Sequence, residues 1–322
     1  MSEYKPEGSL MDTPENRAAL KSLSALTEAM QTKKILEARA VVCDSEHNLH
    51  VALNGGVKGI IPRVEGAIGI ADGSTRDIAI ISRVNKPVCF RVMGIERGEN
   101  GETVATLSRR VVQEQCMEEY ISQLRPGDVI DGRITHLETF GSFVDIGCGI
   151  CSLIPIDVIS VSRISHPEDR FRTGQYIRAV VQATDGKRVT LSHRELLGTW
   201  EENAALFQNG ETVAGIVRSV EEYGIFVELT PNLAGLAEPR EGVMPGQQAS
   251  VYIKSLIPER MKVKLIMVDA FDADYQQPSL RYFFQGDHMD RWVYSPSVSH
   301  RKIETVFTQK ENEPLSSLED ED

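Results

Sequence analysis

Hydrophobic and polar positions alternate with a period of two over much of the chain. In "FVDIG" (143–147), Val144 and Ile146 share one face while Phe143 and Asp145 share the other. "FVELT" (226–230) keeps the same register, with Val227 and Leu229 opposed to Phe226 and Glu228. This alternation predicts short strands with one face in a core. Between the strand-rich stretches the period becomes helical. "SRRVVQEQCMEEYISQL" (108–124) puts Val112, Cys116, Tyr120 and Leu124 four apart on one stripe. "SHRELLGTWEENAALF" (192–207) turns Leu196, Leu197, Trp200 and Phe207 toward a neighbour. Near the start, Thr13 is an N-cap with Pro14 in the first turn, and Leu20, Leu23, Leu26 and Met30 follow at helical spacing.

The strand-rich stretches are copies of one unit. A shift of 83 residues lays Gly127, Gly132 and Phe140-Gly141 on Gly210, Gly215 and Tyr223-Gly224, and Phe143-Val144 on Phe226-Val227. The closing strands "KRVTLS" (187–192) and "MKVKLI" (261–266) also correspond. A shift of 93 reveals a more diverged first copy, placing His47, Asn48 and His50 on Phe140, Gly141 and Phe143. Several short strands with glycine at the bends, closing on one small core, suggest a five-stranded barrel, with Gly132 and Gly215 relieving crowding where a strand coils. The expected fold is mainly β. Its parts are an N-terminal helical segment (1–32), a degenerate barrel (33–107), a linker helix (108–124), a second barrel (125–192), a linker helix (193–207), a third barrel (208–268) and an extension with an acidic tail (269–322). Tyr282, Phe283, Phe284, Trp292 and Tyr294 make 279–297 too aromatic for a linker. That stretch is expected to fold back onto the third barrel or form a contact site, and the end after Phe307 to be acidic and disordered.

Composition narrows the function. The 322 residues, 41% hydrophobic and 25% charged, suit two or three soluble units. No apolar run approaches the roughly 18 residues that span a bilayer, and the polar, acidic start fits neither a secretory nor a transit signal. Five cysteines, an odd number, fit reduced thiols. The expectation is a cytoplasmic protein without a membrane partner. A net charge of −12, taken over the whole chain, opposes a polyanionic partner. The acidity, however, lies in the connectors and tail, while 33–110 and 125–194 are slightly basic, and local field governs such association.

The aromatic pair in "FGSF" (140–143) is the sharpest local signal. On a flat strand Phe140 and Phe143 face opposite ways, but a bulge at Gly141 would bring both rings to one face. An exposed pair would stack unpaired bases, worth roughly 1–3 kcal/mol per base. The bland reading is that one ring plugs the barrel end, and recurrence as Tyr223 and Phe226 favours stacking. Lys187 and Arg188 open the closing strand, with Arg133, Arg178 and Arg194 as weaker phosphate candidates. Lys262 takes the place of Arg188 in the third unit, followed by Lys264, and the first unit has Val104 there. His47 and His50 are weaker stacking candidates. "CGIC" (148–151) lacks the second ligand pair a zinc site needs and reads as small buried thiols. No Walker loop, dinucleotide fingerprint, HExxH or GxSxG is present. No catalytic residue, cofactor, metal or small-molecule substrate is expected.

With "GDVIDGRI", "FGSFVDIG", "SLIP", "TGQYIRAVV" and "RVTLSHREL" in the second unit, and "GETVAGIV", "YGIFVEL", "AGLAEP" and "PGQQASVYI" in the third, the chain resembles the S1 RNA-binding domain family. The repetition is similar to that of bacterial small-subunit (30S) ribosomal proteins of this type. The resemblance implies an OB-type barrel that binds single-stranded RNA (mRNA) and a role in translation with the 30S subunit as partner. By position it implies RNA contacts at Phe140, Phe143 and Arg188, with Asp185 near an acidic one, and at Tyr223, Phe226 and Lys262. One departure is consistent: the His that commonly follows Gly-Leu-x is Pro62, Pro155 and Glu238 here. Two other classes stand beside this one. A non-catalytic scaffold would dock the barrels on the ribosome or an RNA-processing complex. An RNA-processing enzyme would need a catalytic segment longer than any present.

Overall fold

Each alternating stretch closes on itself. The computed structural model describes residues 3–98, 101–273 and 280–307. The first barrel comprises β1 (Leu36–Cys43), β2 (Leu49–Ala52), β3 (Val57–Ile61), β4 (Pro87–Arg97) and β5 (Thr103–Ser108). The second comprises β6 (Val129–Glu138), β7 (Gly141–Gly147), β8 (Ile150–Pro155), β9 (Tyr176–Thr184) and β10 (Val189–Ser192). The third comprises β11 (Thr212–Glu221), β12 (Gly224–Thr230), β13 (Leu233–Ala237), β14 (Gln248–Ile257) and β15 (Lys262–Phe271). All three are closed with the same order, first–second–third–fifth–fourth. In each, the third and fifth strands run parallel and every other neighbouring pair antiparallel. The mainly β, three-barrel expectation is met.

The inward residues are those the alternation selects. Val144 and Ile146 are buried in the second core, Ile225 and Val227 in the third. Gly132 and Gly215 sit where two strands press together: a Cβ there would lie 2.4 Å from Val144 Cγ1 and 2.5 Å from Val227 Cγ1. No other side chain fits at either bend.

The helices differ from expectation in their breaks. The N-terminal stretch is two helices, α1 (Pro14–Ala19) and α2 (Leu23–Gln31), because Ser22 caps a new start by accepting the Ala25 N–H. Leu23 is consequently exposed. A short α3 (Ile78–Ile81) lies in the first barrel's long loop. The first linker is α4 (Arg110–Glu119) followed by one 3-10 turn, Ile121–Gln123. The second linker is not one helix. A 3-10 turn, Arg194–Leu197, stops at Gly198 (φ +87°), and Thr199 with Glu202 forms a capping box for α5 (Trp200–Ala204). Of the 269–322 extension, the acidic end lies outside the described residues. The strands β16 (Arg291–Val293) and β17 (Glu304–Val306) form a small two-stranded sheet.

The barrels are fastened to one another by buried charge. Between the first two, residues 4–11 form a strap. Glu7 accepts from Arg109 Nε (2.6 Å) and Nη2 (3.0 Å), from Arg83 (3.3 Å) and from the Cys89 N–H (3.1 Å). Glu37 accepts the N–H groups of Gly8, Leu10 and Met11 at 3.0, 2.9 and 3.2 Å. Asp145 accepts the Glu7 N–H at 2.8 Å. Between the second and third barrels, Arg170 pairs with Glu228, which also accepts from Arg218 at 2.8 Å, and Arg218 reaches Asp169 at 2.9 Å. The 280–307 extension clasps both barrels. Tyr282 Oη receives the Arg178 N–H, Met289 N–H donates to the Gly127 carbonyl, and Trp292, Tyr294 and Phe307 enter the third core. His193 is fully buried between the Ile159 carbonyl and Tyr282 Oη, and burial lowers its pKa to about 4, so the ring is neutral.

Burial pushes Glu37 up to about 7, although the strap's N–H groups favour its anion. A carboxyl raised in this way binds its proton more tightly when folded. The stability it confers is complete below its ordinary value of 4.5 and is lost as pH rises through about 7. Relative to Glu37→Gln, the wild type should therefore lose thermal stability between pH 4.5 and 7 and level off above. A stability difference that grows with pH across that window would contradict the assignment.

Candidate nucleic-acid interface

The hairpin between β6 and β7 has a two-residue loop, Thr139–Phe140, closed by the Glu138–Gly141 pair. Phe140 therefore stands on the turn, not in the strand. Its ring is 54% exposed and meets Phe143 edge-on, centroids 6.0 Å apart at 90°. The bulge expected at Gly141 is absent; irregularities in the β7 ladders fall at Ile134/His136 and Asp145/Gly147. The turn itself brings the rings together. Glycine is needed at 141 for another reason: a Cβ would lie 2.4 Å from the Ile154 carbonyl oxygen. The third barrel repeats the device. Glu221 pairs with Gly224, and Tyr223, 68% exposed, meets Phe226 edge-on at 6.1 Å and 87°.

Register extends each pair into a strip. Phe143 lies opposite His136 on β6 and Leu153 on β8, and Leu153 neighbours Thr190 on β10. His136 is exposed, tilted 35° to Phe143 with centroids 6.5 Å apart, and bonded to Glu138 at 2.7 Å. In the third barrel the row reads Ser219, Phe226, Leu236 and Lys264. His136 is an addition to the expected site, and the ladder brings Lys264, noted in the sequence only as following Lys262, onto the ring row. The signal for His136 was cross-strand register, which one strand's alternation does not carry.

The expected cations divide into two groups. Lys187 and Arg188 are exposed and form no ion pair among the described residues. Asp185 holds that turn by accepting both their N–H groups, at 2.9 and 2.6 Å, and those bonds hold its carboxyl below the usual range. Its observed work is structural. Lys262, like Lys264, is exposed at the head of β15. The other three arginines are committed elsewhere. Arg133 donates to the Gly174 and Glu7 carbonyls and lies over the Tyr176 ring. Arg178 donates to the Phe284 and Gly286 carbonyls at 3.0 and 2.7 Å. Arg194 contacts Glu195 and Thr305 and lies over the Trp292 ring. Asp145, expected beside Phe143 on the open face, is instead buried beneath the strap, which together with the nearby Glu7 charge raises its pKa.

The first barrel has a different chemistry. His47, at φ +64°, lies 3.6 Å from Asp77, and His50 lies 3.0 Å from Asp44. The Asn48 N–H and the His50 contact hold Asp44 down at about 2, so it is an anion. No aromatic pair is built there, and Val104 sits beside Lys58 in the ladder. The "CGIC" stretch is a hairpin turn, Cys148 and Gly149 both at positive φ. Cys148 is buried, whereas Cys151 is exposed, which corrects the reading of both as buried thiols. No cluster able to hold a metal is found among the described residues, and no helix there is long and apolar enough to cross a membrane.

Closed five-stranded barrels that present surface rings beside lysine and arginine form a class of nucleic-acid-binding fold. The comparisons agree. Residues 123–194, the second barrel with the end of the preceding linker, match the S1 RNA binding domain family. The chain is 27% identical over 263 residues to small ribosomal subunit protein bS1 of Staphylococcus aureus (strain COL), covering 76% of this chain and 64% of that protein. It is 28% identical over 215 residues to the bS1 homolog of Bacillus cereus (strain ATCC 10987 / NRS 248), covering 60% and 55%. It thus spans less than two thirds of the length of either relative. A crystal structure of a multidomain protein with nucleic acid binding domains from Streptococcus pneumoniae TIGR4 is 14% identical over 73% of both chains. Its TM-score of 0.25 is too low to bear on the fold.

Gly141→Ala should cost about 1–3 kcal/mol of stability, the range for forcing extra volume into a packed position. Denaturant unfolding measures it. An unchanged midpoint would mean that the hairpin shifts freely and does not fix the rings.

Proposed function

We propose that this protein binds single-stranded RNA, mRNA in particular, through its second and third barrels, and acts in translation at the small ribosomal subunit in the cytoplasm. One observation carries the reading: two barrels build the same edge-on ring pair at the same hairpin, one ring exposed and its partner half-buried, beside strand-end cations. Exposed rings stack on any base, and a few cations suffice to track the backbone. Similarity to bS1 proteins supports the ribosomal part. No catalytic role is proposed. The residues assigned to RNA are Phe140, Phe143, His136, Lys187 and Arg188 in the second barrel, and Tyr223, Phe226, Lys262 and Lys264 in the third. Arg133, Arg178 and Arg194 drop to structural roles.

The first barrel favours a docking reading for itself alone. Its two histidines face carboxylates, which oppose phosphate, and Val41, Val42 and Met93 are exposed on β1 and β4.

The test uses the full chain, because strap and clasp cover surfaces that an isolated second barrel would expose. Replacing Phe140 and Phe143 together with Ala should cost about 2–6 kcal/mol of binding to a short single strand confined to that barrel, before non-additivity. Leu at both sites keeps apolar bulk but loses the flat ring and should bind nearly as poorly. Recovery of wild-type affinity by the Leu pair, read by fluorescence anisotropy, would make the rings mere apolar filler.

Salt dependence separates stacking from charge. With Lys187 and Arg188 as the two phosphate contacts beside the ring strip of the second barrel, the slope of log K against log salt for that short strand should be about −1.4. Lys187→Gln with Arg188→Gln should bring it near zero. A steep residual slope would place the phosphate contacts on another surface.

A further inference from the structure

The strap, the first linker and the clasp meet over the second barrel and leave a cavity of about 990 Å³ between them. Small-molecule sites occupy about 300–1,000 Å³, so this one is large enough for a ligand of some length. Its floor is the start of β6 and β9. Four tyrosines line it, each from a different segment: Tyr4 from the strap, Tyr120 from the linker, Tyr176 from β9 and Tyr282 from the clasp. The Arg133 guanidinium already lies over the Tyr176 ring, 5.6 Å from its centroid.

The charge on the walls is mostly negative. Asp131 lines the cavity beside Arg178 in the β6–β9 ladder, and its exposed side chain has no hydrogen bond or ion pair among the described residues. Its charge reaches two walls. Burial, Cys116 and then the Asp131 and Asp128 charges push the Tyr120 hydroxyl up to about 12. Burial and the Asp131 charge push Tyr282 up to about 12 as well, against the Arg178 N–H and its cation. Asp128 accepts from His288 at 2.7 Å, and the fully exposed Asp287 lies 3.9 Å from Arg178. Two cations also line the space. Arg178 is held by the Phe284 and Gly286 carbonyls, and Lys5 is exposed on the strap.

Tyrosine rings and an uncommitted carboxylate are what an organic cation binds, through ring quadrupoles and charge-assisted hydrogen bonds. A lone metal ion would leave the rings unused. Asp128 and Asp131 stand three residues apart, about 10 Å along an extended chain, so a ligand with several ammonium groups meets both. We infer that this cavity binds a linear polyamine, with Asp131 holding one ammonium group, Asp128 a second, and the tyrosine rings lining its carbon chain. Neither Phe140 nor Phe143 lines the cavity, so its occupancy stands apart from the RNA reading.

Isothermal titration calorimetry of the full chain with spermidine, without RNA and at about 0.15 M salt, tests the site. The expected result is one saturable site. Asp131→Asn, a change at an exposed side chain, should weaken it by at least about 10-fold, the loss of a charge-assisted bond. Tyr176→Leu keeps apolar bulk but removes a ring that is 55% exposed, and should weaken it about 3- to 10-fold. Nα-acetyl-lysine methylamide carries a single ammonium group and should bind at least about 10-fold more weakly than spermidine. Equal affinity for the lysine derivative would assign the site to a protein side chain and overturn the polyamine. Magnesium at the same concentration reads diffuse attraction to a chain of net charge −12. A matching magnesium heat, a spermidine affinity unmoved by either substitution, or no saturable binding at millimolar spermidine would overturn the site.

Discussion

The arrangement depends on a buried carboxylate two residues beyond the platform ring. Asp145 follows Phe143 and Glu228 follows Phe226, and both point to the outer face of their barrels, where alternation would leave them in water. Each is buried by the segment that precedes its barrel: the strap over Asp145, the second barrel's Arg170 and its own Arg218 over Glu228. The outer face of each barrel is thereby divided. One end holds the upstream neighbour, and the other keeps Phe140 or Tyr223 exposed. The Glu228 pair is unforgiving, since removing one partner of a buried ion pair costs about 3–5 kcal/mol. The first barrel has Ala52 at the equivalent position and no such socket.

That division accounts for the sparse charge on the proposed RNA surface. Arg133 and Arg178 end on backbone carbonyls of the strap and clasp, and Arg194 is taken up by Glu195, Thr305 and Trp292. A guanidinium that satisfies carbonyls at a junction is not available to phosphate. Ring stacking therefore contributes more of the proposed affinity than counterion release, which suits a chain of net charge −12.

Period-two alternation and the 83-residue repeat were enough to read the three barrels and the ring pairs. They missed what depends on contacts distant in the chain. The meeting of Phe140 with Phe143 was expected from a bulge and arises from a two-residue turn, because a short loop and a bulge give the same local spacing. Asp145 looked exposed because the alternation of one strand says nothing of a segment 138 residues earlier lying across it. The second linker read as one helix because its apolar spacing runs on through Gly198, whose φ of +87° breaks it.

The central claim is that the ring pairs on the second and third barrels stack RNA bases. Titrating the full chain, carrying carbon-13 in its aromatic rings, with a single-stranded oligouridine and following ring resonances by NMR tests it directly. The account predicts upfield ring-current shifts at Phe140, Phe143, Tyr223 and Phe226, with His47 and His50 of the first barrel unmoved. Shifts confined to the first barrel, or saturable binding that leaves those four rings unperturbed, would contradict it.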